Sequence, residues 1–263
     1  MTLEEFLAAN PVFAKSDLDE FLATEPRNKG VSRKALVSRL RRSGRVVMVR
    51  RGLFVSTPNG VETQDFQVDH RLVAASLTAD AVITHRSALE AHGLVEDAGE
   101  ETYYSAVRPL PRISFSGRVY KGVKFPMSLV KRGLQRAWAA EKKIGDVVLP
   151  VSSLERTVVD VLARPDLSGG WTAAKKLLSS TADLDLDALI EYVEALNNAT
   201  TAAKAGLYLS GRIKELGVTE RHLEKLLALK PSRPHYLERS RRRDGRFIKE
   251  WNLLVDREDL EGL

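Results

Sequence analysis

A chain of 263 residues with 41 Lys plus Arg, 35 Asp plus Glu and no Cys carries a formal charge of +6 and cannot build a disulfide framework, a thiolate metal site or a cysteine nucleophile. With 43% hydrophobic and 29% charged residues it has the composition of a folded chain of one large or two smaller domains, which excludes disorder as a description of the whole. MTLEEFLAAN opens the chain without the basic and apolar stretches of a signal peptide, and no run of about 18 apolar residues exists, so a soluble cytoplasmic protein with no membrane partner is expected.

In chain order, Thr2 and Glu5 have the spacing of a capping box and predict a first short helix. Ser16 is placed to cap a second, running to about residue 23 and burying Leu18, Phe21 and Leu22. Pro26 and Gly30 mark a turn, Ser32 supplies the cap of a third helix, and Gly44 ends it. On that helix Leu36 and Leu40 share one face, while Lys34, Ser38, Arg41 and Arg42 occupy the other. Strands at 46–49 and 53–55 follow, joined by Arg50, Arg51 and Gly52. Three helices and a basic-tipped hairpin are the layout of a winged helix-turn-helix over residues 1–57. Thr57, Pro58, Asn59 and Gly60 then read as a linker.

A larger second domain, 63–263, is expected to open with helices at 64–77 and 86–92. The pattern then turns to strands at 102–107, 113–115, 119–125 and 128–130, with a hairpin pairing 137–142 with 147–151 across Gly145 and Asp146. Ser152 and Glu155 predict a capping box on a helix at 154–162, where Arg156 and Asp160 have the spacing of a surface ion pair. Helices at 171–178, 186–197, 202–210 and 219–229 and a strand at 246–255 complete the chain. The fold class is therefore α+β: a winged helix-turn-helix, then a mixed α/β domain with a mainly antiparallel sheet and C-terminal helices.

Charge divides this layout unevenly. Residues 27–51 hold ten basic side chains and no acid, which a face tiled with salt bridges does not explain; such a block calls for an anionic partner. A second block, 108–143, has ten basic residues against Glu141, with Tyr103, Tyr104, Phe115, Tyr120 and Phe125 in or beside it. Those aromatics read either as the inner face of the sheet or as stacking platforms for nucleic acid, the inner face being favoured. Arg239, Arg241, Arg242, Arg243 and Arg246 form a third block, read as an extension of that surface or as a solvated turn.

The segments LRRSGRVVMVRRGLFV (40–55), AVITHRSALEAHGL (81–94), LPVSSLERTVVDVLARPDLSGGW (149–171) and WNLLV (251–255) together resemble the AbiEi family of type IV antitoxins, across essentially the whole chain. The resemblance implies a winged helix that represses the protein's own operon and a C-terminal antitoxin domain that neutralises a nucleotidyltransferase toxin of the AbiEii type, without requiring a stable complex. Carried onto this chain, it implies that Lys34 and Ser38 read bases, that Arg41, Arg42, Arg50 and Arg51 hold the backbone, and that Ser32, Arg33 and Arg45 lie on the same DNA surface. Double-stranded operator DNA bearing an inverted repeat, bound by two copies, is the expected partner. Arg112, Arg118, Lys121 and Lys124 are candidates for a second basic surface, open to flanking DNA, a nucleic-acid-bound toxin or an acidic partner.

Enzymatic readings find little footing in the sequence, and neither a catalytic residue nor a cofactor is expected. His70, His85, His92, His222 and His235 show no metal-ligand spacing. Gly206 and Gly211 have the spacing of a P-loop, but Arg212 and Ile213 replace its Lys and hydroxyl residue. A nuclease would require carboxylates converging on a sheet edge, yet no acid lies between Thr102 and Ala140 to join the E-x-K at Glu141–Lys143. A Ser-His-Asp hydrolase lacks its G-x-S-x-G elbow. The alternatives are a stand-alone winged-helix repressor and, less favoured, a DNA-cleaving nuclease-like regulator.

Overall fold

The Thr2 side chain accepts the Glu5 amide and the Glu5 carboxylate accepts the Thr2 amide, so the expected reciprocal cap opens α1 (Leu3–Ala9). The computed structural model describes residues 1–24, 30–61, 66–96, 99–238, 245–256 and 259; Pro26 and Arg239–Arg243 lie outside them. A short strand that periodicity does not reveal, β1 (Val12–Ala14), precedes α2 (Lys15–Thr24). Asp17, rather than Ser16, secures the start of α2 by accepting the Ala14 amide at 2.7 Å. Ser32 caps α3 (Arg33–Arg42) through the Ala35 amide, and Gly44, at φ +71°, turns the chain out of it.

β2 (Val46–Arg50) and β3 (Leu53–Ser56) form the hairpin, with β1 completing an antiparallel sheet in the order β1-β3-β2. Phe6, Phe13, Phe21 and Phe54 pack with Leu18, Leu36, Leu40 and Val46 beneath it, Phe6 stacking on Phe21 at 4.7 Å. Leu22, expected in this core, is only half-buried. All four residues of β3 are buried, because Phe54 faces this cluster while Leu53 and Val55 enter a second one with Val73, Leu77, Ile83, Tyr104 and Tyr120. Alternation along the strand directs its side chains to both sides, and here both sides are covered.

The helix expected at 64–77 is shorter, α4 (His70–Ala75). Asp69 accepts the Arg71 amide at 2.8 Å and so starts the helix there; residues 62–65 lie outside the described set. β4 (Val82–Ile83), α5 (His85–Ala91), β5 (Glu101–Ala106), β6 (Ile113–Phe115), β7 (Arg118–Lys124), β8 (Ala139–Ile144) and β9 (Val147–Ser152) follow. The six strands lie in the order β6-β7-β5-β4-β9-β8; β5/β7 and β4/β9 are parallel and the other three ladders antiparallel. Residues 128–130 are not a strand but belong to one helical turn, α6 (Met127–Val130), which follows Pro126 and buries Leu129.

Helices α7 (Leu154–Ala163), α8 (Trp171–Leu177), α9 (Leu186–Leu196), α10 (Ala199–Ser210), α11 (Ile213–Leu216) and α12 (Glu220–Leu229) build the largest core. Ser153, not Ser152, caps α7. The expected surface pair on this helix is buried instead: Arg156 is 0% exposed, and its Nε lies 3.4 Å from Asp160. Its guanidinium also donates to the Gln135 and Ala137 carbonyls. Glu155 takes no part in that pair; its carboxylate accepts the Asp185 amide at 3.4 Å.

The strand expected at 246–255 is divided into β11 (Arg246–Ile248) and β12 (Leu253–Val255), with β10 (His235–Tyr236) on the other side of β12. Asn252, at φ +51°, lies in the intervening turn, where Trp251 is drawn into the helical core. That ring covers α10 at Gly206, where an added Cβ would lie 2.1 Å from Trp251 Cζ3. Gly206→Ala should therefore destabilise the fold by about 2–3 kcal/mol, despite the better helix propensity of Ala, because the ring must move. Urea denaturation of the two proteins is the measurement; equal stability would show that the ring yields freely.

Candidate nucleic-acid interface

The aliphatic face of α3 is anchored by Leu36 and Leu40, so its polar face must point outward, beside the hairpin. Between α3 and β2–β3 runs an open cleft of about 920 Å³. Lys34, Ser38, Arg41 and Arg42 border it from the helix, and Arg51 from the turn of the hairpin. These five side chains are exposed, and among the described residues none of their four cations forms an ion pair. Cations left unpaired along a groove create the potential that draws a polyanion. Ser32 is exposed at the start of the same helix, its hydroxyl oxygen engaged in the cap.

Three other predicted residues have partners within the protein. Arg33 reaches the cleft but donates to both carboxylate oxygens of Asp19 on α2. Arg45 forks onto Glu4 at 2.9 and 2.6 Å, and its Nε donates to the Thr57 carbonyl at 3.1 Å. The Arg45 hydrogen bonds hold the Glu4 carboxyl below its ordinary range. Arg50 leans away from the cleft and donates to the Leu77 carbonyl at 2.8 Å, tying the hairpin to the segment after α4. Sequence identifies these three as basic; it does not show that their partners lie 14, 41 and 27 positions away.

Lys15 and Met48 border the cleft although sequence reading passed over them. Lys15 is brought there by its amide, which donates to the Gly52 carbonyl at 2.8 Å. The unpredicted β1–α2 junction therefore places one more cation beside the hairpin.

The second basic group is more dispersed. Arg112 is exposed before β6, whereas the Arg118 guanidinium donates to the Gly99 carbonyl. Lys121 pairs with Glu101 and lies 5.9 Å from the Tyr103 ring centre. Strand alternation puts Lys121 on the face of β7 opposite Arg118 and Lys124. Tyr103, Tyr104, Tyr120 and Phe125 are buried, so these aromatics form part of the interior rather than a stacking platform. Of the E-x-K residues on β8, Lys142 donates to the Ala91 carbonyl at 3.0 Å and Lys143 pairs with Asp146. Among the described residues no cluster of His, Asp and Glu has the arrangement of a metal site, and no helix is long and apolar enough to cross a membrane.

Residues 1–57 match a family model described as "Transcriptional regulator, AbiEi antitoxin", so the unit that carries the cleft is similar to regulator domains of that kind. Across 97% of this chain and 90% of the other, the fold is similar to the crystal structure of the RV2827C protein from Mycobacterium tuberculosis, with a TM-score of 0.58 at 19% identity. No curated protein matches the chain.

Proposed function

We propose that the protein is a sequence-specific DNA-binding repressor of its own operon and the antitoxin of a type IV system, counteracting a nucleotidyltransferase toxin. The observation that carries the DNA-binding part is the cleft in which Lys34, Arg41, Arg42 and Arg51 stand exposed and unpaired among the described residues, on a unit matching an antitoxin-type regulator. The antitoxin part rests on the family match and on the resemblance of the later segments. In this reading residues 63–263 carry neutralisation, Lys34 and Ser38 read base edges, and Arg41, Arg42 and Arg51 grip phosphates. Two copies occupy an inverted repeat.

Fluorescence anisotropy with the upstream promoter at several salt concentrations tests this directly. Five to eight phosphate contacts predict a slope of log affinity against log salt of about −4 to −7. Arg51→Ala, which removes one contact from each of the two copies, should flatten the slope by about two. Arg50→Ala should leave it unchanged, because that guanidinium is held by the Leu77 carbonyl. A slope near zero for the parent protein would remove the DNA-binding reading. For the antitoxin part, co-expression with a cognate nucleotidyltransferase toxin should restore growth; no rescue would leave a stand-alone repressor.

A further inference from the structure

Strand β2 sends its side chains to two faces, and one irregularity decides which of them reach the α3 cleft. Val46, Val47 and Met48 lie opposite Ser56, Val55 and Phe54, but Arg50 lies opposite Leu53, so the strand gains one residue between Met48 and Arg50. This bulge turns Arg50 to the side of Leu53, where it meets the Leu77 carbonyl. Met48 is thereby the last side chain of β2 on the face it shares with Phe54.

Met48 is 41% exposed. It borders the cleft beside Phe54 and Val37 of α3, so it belongs to an apolar floor and is not a solitary surface side chain. Cations stand at the rims of that floor: Lys34, Arg41 and Arg42 on the side of α3, Arg51 and Lys15 on the side of the hairpin. Lys15 is exposed and, like the other four, forms no ion pair among the described residues. Backbone holds it there, since its amide donates to the Gly52 carbonyl and its Cβ lies 3.9 Å from where a Cβ on Gly52 would stand. No Asp or Glu is among the described residues that border the cleft.

Cationic rims over an apolar floor complement a sugar–phosphate strand, in which anionic phosphates alternate with sugars that present carbon. A base edge lacks the repeated charge and, apart from the thymine methyl, the apolar surface.

We propose that the cleft takes one strand of the DNA backbone along its length, with phosphates at the two rims and a deoxyribose on Met48, and that the protein thereby selects deoxyribose over ribose. A ribose 2′-hydroxyl pressed onto the Met48 thioether, at best a weak acceptor, loses its water without gaining a comparable partner. The inference rests on the DNA-binding reading and extends it by assigning Lys15 to a phosphate and Met48 to a sugar.

Fluorescence anisotropy of the full chain tests this with the promoter duplex, an unrelated duplex of equal length, and promoter duplexes carrying one ribonucleotide at a time. Met48→Ser should weaken the promoter and the unrelated duplex by the same factor per bound copy, about fivefold, with the salt slope unchanged, because a sugar contact carries neither sequence nor charge. Met48→Leu, apolar again, should recover most of that loss. Lys15→Ala should flatten the promoter slope by about two, one contact from each copy. Ribose at one or two positions of each half-site should cost the parent about tenfold, and Met48→Ser no more than about twofold at the same positions. Met48 and Lys15 are exposed, so these variants keep the fold.

The proposal is overturned if Met48→Ser binds both duplexes as the parent does, or if it weakens the promoter alone, which would move Met48 to a base edge. Equal ribose costs in the two proteins, or a parent-like slope for Lys15→Ala, overturn it as well. A parent that binds neither duplex removes the DNA-binding reading itself, and this inference with it.

Discussion

Replacing Arg156 by Ala should lower the unfolding free energy by about 3–5 kcal/mol, because it leaves a buried carboxylate without its counter-charge. Arg156 Nη1 donates to the Gln135 carbonyl at 3.0 Å and the Ala137 carbonyl at 2.9 Å, and its guanidinium lies 5.5 Å from both the Phe125 and Tyr192 ring centres. It thus joins the approach to β8, the end of β7, and helices α7 and α9. Asp160 accepts from Thr84 at 3.2 Å and from Tyr192 at 2.7 Å, but both of those donors are neutral. Burial and the adjacent carboxylate hold the Tyr192 hydroxyl well above its ordinary pKa, so it remains a donor. Arg156→Met should retain most of the packing and still be strongly destabilised. Adding Asp160→Asn should recover part of the loss, since a neutral amide no longer requires the cation. Urea denaturation followed by tryptophan fluorescence measures all three. A loss below about 1 kcal/mol for Arg156→Ala would place this pair with exposed ones.

The spacing of Arg156 and Asp160 was legible in the sequence; their burial was not, because Phe125, Gln135 and Tyr192 cover them from distant parts of the chain. Where a cap and its stop are local, as with Ser32 and Gly44, the helix could be read directly. Ser152 and Ser153 are locally ambiguous, and the sheet decides between them. Ser152 pairs with Ala139 as the last residue of β9, so the cap passes to Ser153.

Basic residues could likewise be counted but not assigned to a surface. Arg41, Arg42 and Arg51 remain open, whereas Arg45 and Arg50 are taken up by Glu4 and the Leu77 carbonyl. The small chamber that His85 lines left only a faint signal: a polar Thr-His pair at a strand-to-helix junction, with the remaining walls supplied by residues between 105 and 201.

On the proposed DNA-binding reading, charge reversal at Arg41 and Arg42 should weaken operator binding at least about a hundredfold at physiological salt, since each change would remove a phosphate contact and place an acid against the backbone. Both side chains are exposed on the outer face of α3, so each should change stability by no more than about 0.5 kcal/mol. If repression and neutralisation are separate, the Arg41→Glu, Arg42→Glu protein should still rescue growth against the nucleotidyltransferase while a reporter under its promoter is derepressed. Point variants are a cleaner test than deletion of residues 1–62. Deletion removes β3, and with it Leu53 and Val55 from the cluster they share with Val73, Leu77 and Tyr104. It also removes the Arg50 bond to Leu77. A fragment beginning at residue 63 that failed to rescue would therefore confound an opened core with a missing DNA contact. Loss of rescue in the soluble, folded double variant has one reading: the basic face of α3 takes part in neutralisation, and repression and antitoxin action share a surface.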